Sequence, residues 1–158
     1  MGGMALKRHL FFIAITLLSV ILLAGYTGFA TTNVIKINDV TAEIPEGMGQ
    51  IRERDDRTFV PLRFVSEFLQ NEVWYMENSK YATVSSDQAV ILVQDGNENL
   101  FITSKLTGQS TTLKMDTSAY IDEVEGRMYL PIRFLAEAIG YDVGWDEATE
   151  TVTLDISK

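Results

Sequence analysis

Arginine and glutamate recur four residues apart at two places, Arg63 with Glu67 and Arg133 with Glu137. On a helix that spacing sets both charges on one face. Arginine before glutamate is the weaker order, and a cation in a first turn opposes the helix dipole. A guanidinium kept twice in an unfavourable place is expected to hold strand carbonyls or a carboxylate of a neighbouring hairpin. The other chemistry open to it is capture of an anion. Trp74, Tyr75, Tyr81, Tyr141 and Trp145 offer flat faces that could stack on a sugar or a partner peptide, while aromatics at alternating strand positions also serve as core or cross-strand pairs.

The carboxylates point to little else. Asp146 and Glu147 are adjacent at a hairpin tip, where they would diverge into water and could not develop the separated pKa values of a glycosidase pair. A loop starting at Asp95 has Leu100 sixth and Leu106 twelfth, where an EF-hand needs glycine and glutamate, so Asp95-Gly96-Asn97 is expected to be a hairpin turn. The chain has no cysteine and a single histidine, His9. Beyond residue 9 neither imidazole nor thiolate is available for a zinc or copper site, a histidine-based triad or histidine acid–base work. No catalytic residue, metal ligand or cofactor is expected.

These residues lie in a segment that occurs twice. RTFVPLRFVSEFL at 57–69 returns without a gap as RMYLPIRFLAEAI at 127–139, a displacement of seventy residues. Arg57, Pro61, Arg63 and Glu67 thus match Arg127, Pro131, Arg133 and Glu137, and Tyr75 matches Trp145. A fixed period means one supersecondary unit used twice. Turn dipeptides at Asp55-Asp56 and Glu125-Gly126 predict a hairpin before each proline. Apolar residues at helical spacing follow it: Leu62, Phe64, Val65, Phe68 and Leu69, then Ile132, Phe134, Leu135, Ala138 and Ile139. Proline suits the first helical position. Gly140 is placed to cap the second helix and Asn71 the first. Helices of about ten residues do not persist alone, so packing must hold them. A second hairpin pattern follows each helix, Val73 to Val84 and Val143 to Ile156. Val34–Ile37 and Val40–Ile44 flank Asn38-Asp39, and strands are expected near Ala89–Val93, Leu100–Thr103 and Thr112–Met115. No linker separates the copies. The fold class is therefore α+β: small antiparallel β-sheets wrapped around two short helices, from an internal duplication of a hairpin–helix–hairpin unit with repeats at about 31–87 and 88–158.

Residues 1–30 stand outside this pattern. Lys7 and Arg8 precede an apolar run from Leu10 to Leu23, and Gly28-Phe29-Ala30 supplies small residues for cleavage, the order of a secretory signal peptide. An uncleaved anchor is the rival, since the run can be extended towards the ~20 residues a spanning helix needs. No cysteine follows, so a lipoprotein anchor is not expected. Export to the medium or the cell surface is. Loss of Lys7 and Arg8 would take the net charge from −9 to −11, a surface that repels nucleic acid and anionic lipid. A membrane role is expected only through an uncleaved segment.

At R-T-F-V-P-L-R-F-V-S-E (57–67), R-M-Y-L-P-I-R-F-L-A-E (127–137) and V-G-W-D (143–146) the chain resembles the copper amine oxidase N-terminal domain family, or stalk domains, of exported Gram-positive proteins. The first copy departs from the pattern at Gln70 and at Val73-Trp74-Tyr75-Met76. The resemblance implies an accessory domain, with copper chemistry left to a separate catalytic domain. The expected function is a secreted or surface-associated, non-enzymatic interaction module of the cell envelope, with an envelope protein or a cell-wall glycan as partner. A glycan-binding module is the alternative, and a carboxylate hydrolase is the third class considered.

Overall fold

Two pairs of adjacent residues in left-handed conformation shape the first hairpins of the computed structural model, which describes residues 34–156. Asn38 and Asp39 (φ 49° and 63°) join β1 (Val34–Ile37) to β2 (Val40–Ala42), and Asp55 and Asp56 (φ 52° and 56°) join β3 (Arg52–Arg54) to β4 (Arg57–Pro61). Successive positive φ values make the turn that matches strand twist, and Asn and Asp tolerate it best among residues with a side chain. The later hairpin, β10 (Tyr120–Asp122) with β11 (Arg127–Pro131), is wider. Its Gly126 N–H reaches the Asp122 carbonyl at 2.8 Å, and the Asp122 carboxylate accepts the amides of Val124 and Glu125. The described residues belong to the unit Thr32–Lys158. The signal segment expected at 1–30 lies outside the described residues, among which no helix is long and apolar enough to cross a membrane.

Each proline closes a strand and opens a helix. α1 (Leu62–Phe68) follows Pro61 and α2 (Ile132–Ala138) follows Pro131. The prolines sit at the N-cap, with ψ of 118° and 129°, not at the first helical position expected from sequence. The reason is pairing: Pro61 stands opposite Tyr129 and Pro131 opposite Phe59, so the ladder holds ψ extended while φ already suits a helix. The C-terminal cap also differs from expectation. Gln70 (φ 60°), not Asn71, takes the left-handed place that Gly140 (φ 89°) takes in α2. Gln70 N–H bonds the Glu67 carbonyl (2.9 Å) and Asn71 N–H the Ser66 carbonyl (2.8 Å), the paired bonds of a Schellman motif. Position from the helix end decides which residue is forced left-handed, and a side chain there costs about 1 kcal/mol.

The fold is α+β and has three sheets. β5 (Glu72–Met76), β6 (Tyr81–Ser85), β7 (Ala89–Gln94), β8 (Asn99–Ser104) and β9 (Ser110–Lys114) form an antiparallel meander. β12 (Tyr141–Asp146) and β13 (Thr151–Ile156) join the N-terminal hairpin in the order β12-β13-β1-β2. There β1 runs parallel to β13, with Ile35 opposite Val152, a departure from the wholly antiparallel expectation. No short turn links these strands, so nothing local imposes the antiparallel sense.

The third sheet has the order β10-β11-β4-β3. At its centre Val60 pairs with Leu130, flanked by Pro61 with Tyr129 and Phe59 with Pro131. Val60 and Leu130 are matching positions of the recurring segment. Matching positions therefore face one another, and a local pseudo-two-fold axis runs through this pair. The orders β3-β4-α1-β5-β6 and β10-β11-α2-β12-β13 correspond, apart from a 3-10 turn at Glu77–Ser79 between β5 and β6. One apolar cluster takes side chains from both, including Val60, Leu62, Val65, Leu130, Leu135 and Leu154. Ser66 is fully buried in α1 and its hydroxyl has no partner, whereas the matching Ala136 is buried without a polar group.

Separation of the chain after residue 87 cuts the β6–β7 ladder and parts β4 from β11 and β1 from β13. Neither 31–87 nor 88–158 should melt cooperatively alone. A sharp calorimetric transition from either piece would show that the cluster is divisible. Ser66→Ala should raise stability by about 1 kcal/mol, read from the urea midpoint, because it removes an unpaired buried hydroxyl. A loss of similar size would mean that the hydroxyl has a partner.

Candidate functional site

Residues 141, 143 and 145 alternate onto one face of β12. Tyr141 and Val143 pack against the core, and α2 covers that part of the strand. Trp145 stands opposite Val152 and remains 52 % exposed. β5 repeats the arrangement, with Val73 packed on the core and Tyr75 opposite Ala82 and 38 % exposed. Trp74, the next residue along, projects from the other face of β5 and is 52 % exposed. The three aromatics therefore do not form a single platform.

Trp145 and Tyr75 mark two clefts. The larger, about 510 Å³, is lined by Trp145, Phe134 and Arg133 from one segment and by Asp56 and Arg57 from the other, with Asp116 beside them. The smaller, about 360 Å³, is lined by Tyr75, Leu62 and Arg63 together with Glu125, Arg127 and Met128. Arg133 matches Arg63, Trp145 matches Tyr75, and Arg57 matches Arg127. Each cleft combines a helix-start arginine and a strand aromatic with a hairpin arginine from the opposite segment, as the pseudo-two-fold pairing requires. Pro61 and Pro131 are buried cleft walls. Glu67 lines neither cleft, and Glu137 lies on a separate depression beside Gly140.

The four arginines are held differently. Arg57 donates from Nε and Nη2 to the Asp116 carboxylate (2.8 and 2.7 Å) and from Nη1 to the Asp55 carbonyl (2.9 Å). Arg127 makes the matching bond from Nη1 to the Glu125 carbonyl (3.0 Å), and its Nη2 donates to the Gly47 carbonyl. Both thus brace their own hairpins. Arg63 meets Glu67 at 3.1 Å, with both side chains about half exposed, so their pair contributes at most about 0.5 kcal/mol. The matching pair does not form: among the described residues Arg133 has no hydrogen bond or ion pair, to Glu137 or to any other group. The hydrogen bond from Arg57 holds the Asp116 carboxyl below its usual range, and the charge of Arg133 adds to this.

A second polar cluster escaped the sequence reading. Tyr129 is fully buried; its hydroxyl donates to the Glu125 carboxylate at 2.6 Å and accepts the Gln50 amide at 3.2 Å. Arg52 lies 4.4 Å from the centre of the Tyr129 ring and pairs with Asp122 (2.5 Å) and Glu125 (2.6 Å). These bonds tie β3 to β10 and the loop after it, the outer strands of the central sheet. Gly49 (φ 97°) lets the chain pass this cluster, since a Cβ there would stand 2.6 Å from the Tyr129 hydroxyl. The available signal was the difference between the two segments: Arg52 matches Asp122, opposite in charge, and Tyr129 adds a hydroxyl where the other segment has Phe59.

The cluster shifts its own titrations. Glu125 is lowered chiefly by the Tyr129 hydrogen bond, and Asp122 chiefly by the bond from Arg52. Tyr129 is raised, first by burial and then by Glu125. Asp146 is lowered chiefly by a hydrogen bond from the Thr149 side chain, and further by the Thr149 and Ala148 amides that its carboxylate accepts in capping the β12–β13 turn. No two carboxyls among these are set apart as acid and base.

A family model described as copper amine oxidase N-terminal domain matches residues 36–154. No curated protein and no solved structure matches. The described residues do not fit a copper centre. Among them no three side chains of His, Cys, Asp or Glu gather to hold a metal, and Asp116, Asp122 and Glu125 are committed to arginines.

Stability should respond to pH at both ends. The lowered carboxyls stabilise the fold above their unfolded values of 3.8–4.5, and that stabilisation is lost as pH falls through their lower folded values. Tyr129 contributes fully below its unfolded value of 10.0, and its contribution is lost as pH rises past that value. Urea midpoints should hold from about pH 5 to 9 and fall outside that window. Tyr129→Phe should cost about 2 kcal/mol at neutral pH and flatten the alkaline fall. An unchanged alkaline limb in that variant would remove Tyr129 as its cause.

Proposed function

Since the chain belongs to the copper amine oxidase N-terminal domain family, a domain that is non-catalytic in those oxidases, we propose that it is a non-enzymatic binding module of the bacterial cell envelope. It is exported by residues 1–30, acts at the surface or in the medium, and arose by duplication of a hairpin–helix–hairpin unit. One observation carries most weight: the seam between the two segments opens as clefts lined by arginine and exposed aromatic side chains. A hydrolase mechanism has no support there, because Asp116 is bound to Arg57 and Asp146 caps a turn.

The partner is an envelope protein or a cell-wall glycan. Trp145, exposed beside an Arg133 that has no partner among the described residues, favours the glycan. Fractionation of cells carrying a tag after Lys158 should recover the protein outside the cytoplasm with residues 1–30 removed. The purified protein should bind washed envelope sediment saturably. Cytoplasmic recovery, or sediment binding no greater than that of an unrelated acidic protein, would sink the proposal.

A further inference from the structure

The two clefts occupy matching places but differ in what they leave open. In the smaller, Arg63 is paired with Glu67, Arg127 is held by the Gly47 and Glu125 carbonyls, and the Glu125 carboxylate is taken by Tyr129 and Arg52. The loop carrying Gly47 and Met48 also lines it. In the larger, Arg57 and Asp116 are paired with each other, while among the described residues Arg133 makes no hydrogen bond or ion pair, and Trp145 keeps half its surface in solvent. Both clefts are open, but the arginines of the smaller one already have partners within the protein, and Arg133 of the larger one does not.

We infer that the larger cleft is a saccharide site, with Trp145 as the stacking face and Arg133 and the Arg57–Asp116 pair as its hydrogen-bonding wall. This rests on the reading of the chain as an envelope-binding module and names what that module takes. A volume of about 510 Å³ is within the range of roughly 300–1,000 Å³ usual for small-molecule sites. Sugar hydroxyls both donate and accept, so they suit a wall that places a donor-only guanidinium next to an acceptor-only carboxylate. The pyranose ring supplies the flat apolar face that an exposed indole stacks against.

Charge selects the class of sugar. Arg57 and Arg133 are outnumbered by Glu53, Asp56 and Asp116 around the cleft, and the chain as a whole carries −9. An acidic polysaccharide would be repelled on approach. The ligand is a neutral glycan.

The full protein carrying Trp74→Phe leaves Trp145 as its sole indole, so tryptophan emission reports on this cleft alone. It should be titrated with cellotetraose, with the tetramer of N-acetylglucosamine, and with tetragalacturonate. At least one neutral tetrasaccharide should change Trp145 emission saturably, and tetragalacturonate should not. By calorimetry, Trp145→Ala and Arg133→Ala should each weaken that binding about tenfold or more, with melting temperature retained. Tyr75→Ala should leave it unchanged. Silence with both neutral sugars, tighter binding of tetragalacturonate, or equal losses from Tyr75→Ala and Trp145→Ala would each overturn the assignment. Envelope sediment that still binds Trp145→Ala at full strength would overturn the cleft while leaving the envelope module intact. Failure of the unmodified protein to bind sediment would remove the module itself.

Discussion

The antiparallel pairing of β4 with β11 is the constraint from which the rest follows. Because Val60 faces Leu130, the pairs beside it, Phe59 with Pro131 and Pro61 with Tyr129, are set about the same local axis. The prolines one residue on end their strands together, so both helices start at corresponding points of the ladder and fold back on the shared apolar cluster. Seven-residue helices cannot persist alone in water. Here each is held by packing against both segments, and Leu62, Val65, Leu135 and Ala136 are its anchors. The clefts are a geometric by-product, because the aromatic on each strand stands clear of the helix while the hairpin arginine arrives from across the axis.

Symmetry alone would bring like groups together, and the chain departs from it where that would cost most. Arg52 and Asp122 are matching positions that meet directly. Two identical charged residues there would repel, whereas opposite ones join the outer strands of the central sheet. Tyr129 and Phe59 divide in the same way: one hydroxyl finds Glu125 and the Gln50 amide, and the other ring stays apolar. The larger cleft is a third departure, with Arg133 unpaired among the described residues where Arg63 meets Glu67. Near-equivalence supplies the scaffold, and the exceptions supply both the polar cross-tie and the open site.

The family assignment fits this division of labour. A domain named from copper amine oxidases offers no converging metal donors among its described residues. The carboxyls of Asp116, Glu125 and Asp146 are held low by hydrogen bonds from Arg57, Tyr129 and Thr149. Groups used in this way position chain segments and cap turns.

Much of the local structure was legible in the amino-acid order. The Asn38-Asp39 and Asp55-Asp56 turns, the helices after Pro61 and Pro131, the strands at 89–94 and 99–104, and the left-handed Gly140 all follow from signals spanning two to four residues. Turn propensity, apolar period and cap geometry are set by near neighbours, so they can be read without knowing the fold. Tertiary structure alone decided that β1 joins β13 in parallel, that Pro61 and Pro131 belong to the ladder, and that Arg52 reaches Asp122. It also decided which recurring arginine would find a partner. The strand pairings and the Arg52–Asp122 contact join residues 68 or more positions apart, brought together by a strand register that no local pattern encodes. Arg63 and Arg133 stand in the same sequence frame, and only their surroundings in space distinguish them.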